Sequence, residues 1–182
     1  MTTLRVLLLP GWLNSDSEHW QSRWERQFGY QRVEQSDWQW PRRGDWMARL
    51  DDVLLEDERP VMLAAHSLGC HLAASWAEHS QYGARVIGAL LVAPPDTLAA
   101  DLPPQLHNWR PTQARPGGRH LPFPSITVIS TNDPFCSSDR ATQMAADWGS
   151  KLVVAGPQGH LNSASNLDDW PLGQALMDEL RR

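Results

Sequence analysis

An α/β fold, with a mostly parallel central sheet and helices on both faces, is predicted by three features of the sequence. Short continuous apolar runs at residues 4–9, 61–65, 86–93, 125–130 and 151–155 read as buried strands. Segments with apolar residues at helical spacing stand between them. No internal repeat or composition break interrupts the alternation, so a single domain spanning residues 1–182 is expected.

Taken in order, residues 4–9 make the first strand, and Pro10-Gly11-Trp12-Leu13-Asn14 breaks it. Ser15 or Ser17 then caps a helix carrying Trp20, Trp24 and Phe28. Residues 30–35 are a more polar strand, suited to a sheet edge, and residues 37–41 are a loop. Residues 44–55 set Trp46, Met47, Leu50, Val53 and Leu54 on one helical face. The strand 61–65 runs through His66-Ser67 straight into a helix over residues 68–79. After the strand 86–93, residues 94–124 hold eight prolines and the pair Gly117-Gly118, which makes them a long surface connection with a short helix near 98–102. The strand 125–130 exits through Thr131-Asn132-Asp133-Pro134-Phe135, and Ser138 or Asp139 caps a helix reaching Trp148. The strand 151–155 leads into Gly156-Pro157-Gln158-Gly159-His160, and a helix over residues 170–180 closes the chain.

Composition narrows the function. With 41% hydrophobic and 20% charged residues the chain is globular rather than disordered. A net charge of −5 and scattered basic residues argue against nucleic acid, because no basic stripe is present to neutralise phosphates. The first apolar run is too short for a signal peptide, and no segment has the length of a membrane span, so a cytoplasmic protein without a membrane partner is expected. Cys70 and Cys136 imply neither a disulfide framework nor a metal cluster, and no His, Asp, Glu or Cys set has zinc-ligand spacing. Most of the ten tryptophans are expected in the core or at helix contacts.

Chemistry enters at Ala65-His66-Ser67-Leu68-Gly69. A serine between a strand end and a helix start sits on a tight turn with its hydroxyl pushed outward, the physical content of the G-x-S-x-G nucleophile elbow. Small residues are needed two before and two after, where strand and helix pass closely. Here they are Ala65 and Gly69, so the first glycine has become alanine. Taken singly, each has a plainer alternative: Ser67 as a helix cap, Asp133 as a turn former and His160 as a loop residue. Together they follow three different strand ends in the order Ser, Asp, His, which is the order of hydrolases bearing this elbow. In that reading His160 takes the serine proton and returns it to the leaving group, while Asp133 holds the imidazole. Asp96 is the reserve acid. The oxyanion takes the Leu68 amide and a second from the loop after the first strand, Trp12 first and Leu13 next. No cofactor or metal is required.

The motifs Leu9-Pro10-Gly11-Trp12-Leu13-Asn14-Ser15, His19-Trp20, Ala65-His66-Ser67-Leu68-Gly69, Asn132-Asp133-Pro134-Phe135, Gly159-His160-Leu161-Asn162 and Asp169-Trp170-Pro171 resemble a small α/β-hydrolase family. It is the serine hydrolase family that includes retinoblastoma-binding protein 9 and many short bacterial homologues. The resemblance implies a minimal α/β-hydrolase fold without a large cap domain and a triad of Ser67, Asp133 and His160. Leu13 and Trp38, with Trp12, are the candidates for lining a substrate pocket. His19 and Trp20 read as helix-packing residues with a local hydrogen bond, His66 as pointing away from the serine to orient a neighbouring loop, and His71 as a packing or surface residue. The expected activity is a carboxylesterase reaction on small acyl esters through an acyl-enzyme. A protein-binding module on a hydrolase scaffold, a thioesterase and a peptidase stay open, as does the choice between monomer and homodimer. The identity of any protein partner stays open as well.

Overall fold

The computed structural model describes residues 4–111 and 120–182. The apolar runs become the strands Arg5–Leu9 (β1), Val61–His66 (β3), Val86–Val92 (β4), Ser125–Ile129 (β5) and Lys151–Val154 (β6), and the polar edge strand shrinks to Gln31–Arg32 (β2). They form one sheet in the order β2-β1-β3-β4-β5-β6, parallel at every pairing. Parallel neighbours require long crossovers. The helices Trp20–Phe28 (α1), Arg43–Leu55 (α2), Leu68–His79 (α3) and Ser138–Asp147 (α4) supply all but one, and Pro171–Leu180 (α5) follows the last strand.

Side chains alternate across a strand, so a sheet this apolar must be covered on both sides. Leu7, Leu9, Leu63 and Ala65 pack with Trp46 and Leu50 of α2 and Leu72 and Trp76 of α3. Val6, Leu8, Met62 and Ala64 pack with Trp20 and Trp24 of α1 and Leu176 and Met177 of α5. The chain steps from β1 outward to β2 and then back past β1 to β3. A right-handed crossover run in the opposite direction lands on the opposite face, which separates α1 from α2. Among the described residues no large cap stands on the sheet.

Several local expectations are corrected. His19 caps α1, accepting the Gln21 N–H on its ring, whereas Ser15 donates its hydroxyl to Gln21 Oε1. Phe28, the last residue of α1, is exposed. Ser137 caps α4, one residue earlier than expected. Residues 98–102 are turns, and the helical piece of this connection is instead a 3₁₀ segment, Pro104–Trp109, where Pro104 presets the first turn. Gly117 and Gly118 lie outside the described residues.

The buried tryptophans also fasten loops. The indole N–H groups of Trp20, Trp24, Trp46 and Trp109 donate to the carbonyls of Leu161, Asp169, Asp37 and Pro41 respectively. Each ring fills the core with its body and spends its one polar atom on a distant connection. Among the described residues no helix is long and apolar enough to cross a membrane.

Candidate active site

In an open parallel sheet a crevice forms at the strand carboxyl ends where the chain reverses its direction of travel. That point here lies between β1 and β3. The loop after β1 carries Gly11 to Asn14, and β3 delivers Ser67. The serine has φ 53° and ψ −124°, a left-handed conformation that side chains rarely adopt. Such a residue costs about 1–3 kcal/mol and persists only where its surroundings enforce it. Its side chain makes no capping bond to α3, so the helix-cap reading does not describe it.

The surroundings are visible in the glycines. A Cβ on Gly69 would stand 2.1 Å from the Leu9 carbonyl oxygen, and one on Gly11 would stand 2.7 Å from Ser67 Cβ. Main chain therefore passes main chain at the elbow with no room for a methyl. Ala65 is fully buried against the α2–α3 core, where its methyl is part of the packing. The alanine in place of glycine thus leaves the elbow geometry intact.

His160 Nε2 lies 2.9 Å from Ser67 Oγ. Its Nδ1 faces both oxygens of Asp133, at 3.0 and 2.9 Å. A carboxylate only accepts, so Nδ1 carries the proton and Nε2 is free to accept the serine hydroxyl. Asp133 Oδ1 also accepts the Phe135 N–H at 2.9 Å, which fixes the carboxylate plane.

The loops that bring these groups together are laced to each other. Ser130 Oγ donates to Asn132 Oδ1 and accepts the Gln158 N–H, both at 2.9 Å, and the Gly159 N–H donates to Asn132 Oδ1 at 2.7 Å. The His160 carbonyl accepts His66 Nε2–H at 2.9 Å, and Trp20 holds the next carbonyl. His66 therefore orients the neighbouring loop, as expected, while its ring remains beside the site. Burial, with His19 and His160 nearby, holds the His66 imidazole far below its usual pKa, so it stays neutral. Burial likewise lowers His71 to about 4, and its Nε2 donates to the Pro95 carbonyl at 2.7 Å.

The backbone donors separate cleanly. Leu68 opens α3, where an N–H has no intrahelical acceptor. Residues 11–14 form a turn closed by the Asn14 N–H on the Gly11 carbonyl. The Leu13 N–H is spent on the Trp38 carbonyl at 3.1 Å, whereas that of Trp12 has no protein acceptor among the described residues.

A cavity of about 530 Å³ opens over Ser67 and His160. Trp12 and Leu13 line it, and Leu13 is 58% exposed. Trp38 does not. Its ring packs against Trp46 at 5.3 Å, and its carbonyl holds the Leu13 turn, so it supports the wall from behind. Pro95, Leu102, Leu106 and Phe135 build a further wall that was not expected from the sequence. Apolar residues within a proline-rich connection were the available signal for Leu102 and Leu106. Asp96, the reserve acid, also lines the cavity but pairs with Arg140 at 3.4 Å rather than with His160. Burial raises the Cys70 thiol well above its ordinary pKa and Cys136 to about 12, so neither is a thiolate at neutral pH. Among the described residues no group of His, Cys, Asp or Glu is placed to hold a metal.

The serine hydrolase family model matches residues 6–179. No curated protein matches the chain. Among solved structures, a YdeN-like hydrolase from Pectobacterium atrosepticum is 31% identical, with 98% of this chain and 90% of that one covered and a TM-score of 0.85. The ydeN gene product of Bacillus subtilis is 20% identical, with 98% of each chain covered and a TM-score of 0.74. Carboxylesterase CesB from Bacillus subtilis shares the fold at 15% identity, covering 97% of this chain and 83% of its own, with a TM-score of 0.61.

Proposed function

We propose, from the premise that this chain belongs to the serine hydrolase family, that it is a carboxylesterase for small acyl esters, working through a Ser67-His160-Asp133 triad. The observation that carries the proposal is the unbroken hydrogen-bond line from Ser67 Oγ through the His160 ring to Asp133. As Ser67 Oγ bonds to the ester carbonyl carbon, its proton passes to His160 Nε2, and Asp133 stabilises the resulting imidazolium. The carbonyl oxygen becomes an oxyanion held by the N–H groups of Leu68 and Trp12, with the α3 dipole adding to the field. Collapse breaks the bond to the alkoxy oxygen, which takes the proton from Nε2 and leaves as the alcohol. Water, deprotonated by the same nitrogen, then attacks the acyl carbon, and collapse breaks the bond to Ser67 Oγ, which takes the proton back from Nε2 as the carboxylic acid leaves.

The cavity favours an ester over a phosphate-bearing thioester. Asp16, Asp96 and Asp101 line it, and among the described residues no lysine or arginine does. A carrier rich in phosphate would meet repulsion there and find no cation to bind.

Labelling with a fluorophosphonate probe tests the proposal. The wild type is expected to label, and Ser67→Ala and His160→Ala to fold without labelling. Turnover of 4-nitrophenyl esters is expected to fall roughly a million-fold in Ser67→Ala. Folded wild type that stays unlabelled and turns over no ester would overturn it.

A further inference from the structure

His19 is 3% exposed and has one ring nitrogen unspent. Its Nδ1 accepts the Gln21 N–H at 3.1 Å, which places the proton of the neutral ring on Nε2. Burial lowers the pKa of this histidine to about 3, so the ring is neutral throughout the physiological range. The buried Nε2–H has no hydrogen-bond partner among the described residues. Groups of this kind are rare in folded proteins because leaving them unpaired is costly. The carboxylate of Asp16, whose charge acts on His19, does not relieve it. Asp16 already accepts Ser163 Oγ and the backbone N–H groups of Glu18 and His19.

His19 is also among the residues that line the cavity over Ser67. It meets His66 edge-on at 4.5 Å between centroids, and His66 stands 4.9 Å from the His160 ring. The unspent donor is therefore two ring contacts from the group that takes the serine proton. Its ligand must be an acceptor. The carboxylates of Asp16, Asp96 and Asp101 disfavour an anion, and Leu102, Leu106 and Phe135 offer the remainder of the ligand an apolar surface. What fits is an uncharged oxygen on a mostly hydrocarbon arm.

We propose that His19 is a substrate-binding residue whose Nε2–H holds an uncharged ether, hydroxyl or carbonyl oxygen of the ester, away from the scissile carbonyl. It gives the enzyme a preference for oxygenated esters over hydrocarbon isosteres of the same size. This inference rests on the hydrolase reading above.

Two matched pairs test it, one on each side of the ester bond: 4-nitrophenyl methoxyacetate against butyrate, and 2-methoxyethyl acetate against butyl acetate. The readout is the ratio of kcat/KM within each pair, compared between wild type and His19→Asn. Comparing the same pair in both proteins cancels the intrinsic reactivity of the esters. Asparagine keeps a capping oxygen for α1, and His19→Ser, which caps equally, replaces it should the first variant fail to fold. In at least one pair the oxygenated preference is expected to fall roughly tenfold or more in the variant, because a site built to pair an oxygen rejects the analogue lacking it. Ratios that are the same in wild type and variant for both pairs would overturn the role of His19. Wild type that neither labels with fluorophosphonate nor hydrolyses any of the four esters would instead overturn the hydrolase reading.

Discussion

The serine side of the site is held by main chain, whereas the histidine side is held by side chains reaching in from distant elements. At Ser67 the constraint is steric: Gly69 passes against the Leu9 carbonyl, Gly11 passes against Ser67 Cβ, and a left-handed residue is trapped between β3 and α3. Beside His160 there is more room: a Cβ on Gly159 would meet nothing closer than Ser165 Oγ at 3.7 Å. The loop takes its place from Ser130 and Asn132 after β5, His66 at the end of β3, and Trp20 in α1. One side is fixed by what cannot fit and the other by what must be satisfied, so the two should fail differently when altered.

The largest expected effect is on the steric side. Gly69→Ala would set a methyl 2.1 Å from the carbonyl oxygen of Leu9, which belongs to β1, paired on both sides within the sheet, and cannot step aside. Over-packing of this kind costs about 3 kcal/mol or more when backbone is the obstacle. The urea midpoint is expected to fall accordingly, together with loss of activity; an unchanged midpoint would mean the elbow has slack.

On the hydrogen-bonded side a substitution is expected to affect rate more than stability. Asn132→Ala removes the acceptor for the Gly159 N–H in an exposed loop, a loss of about 1 kcal/mol or less in stability. Because His160 follows at once, kcat is expected to drop roughly tenfold with KM little changed. Asn132→Asp keeps the acceptor oxygen and should recover part of the rate. Equal loss in both variants would show that Asn132 acts by some route other than that bond.

Acid sensitivity draws the contrast in another way, because it comes from the buried histidines around the site rather than from main-chain crowding. His19 titrates near 3 in the folded protein and near 6.5 when unfolded. Between those values the unfolded chain holds the extra proton, so stability is full above pH 6.5 and falls as pH drops toward 3. The slope is about 1.4 kcal/mol per pH unit for each such group. His66 and His71 are shifted in the same direction and steepen it. Urea midpoints measured at pH 7, 6 and 5 should fall progressively, and His19→Asn should flatten the slope by about one such group.

This difference in construction also explains what could be read in advance. Alternating apolar runs announced the parallel sheet, since strands buried on both faces leave a continuous signature in the chain. The elbow was legible for a related reason. Its requirements are local: a serine between strand and helix with small residues two positions away. The order of Ser67, Asp133 and His160 at three strand exits then followed from the same alternation.

Other assignments depended on contacts made across the fold. Trp38 looked like a pocket residue because it lies in a loop near a strand exit, yet its ring packs on Trp46 and only its carbonyl reaches the site. Nothing in Ser130, Asn132 or Trp20 distinguishes them in the chain as supports for His160, because their partners are 27 or more residues away. His19 reads as a helix residue either way, and its unspent nitrogen is a property of what surrounds it. The sequence by itself determined the sheet, the elbow and the choice of Ser67, Asp133 and His160 as the candidate triad, since periodicity and steric need are written between near neighbours. Tertiary structure alone decided which walls enclose the cavity and which polar groups are left to meet a substrate, because hydrogen-bond satisfaction is settled only when distant segments are packed together.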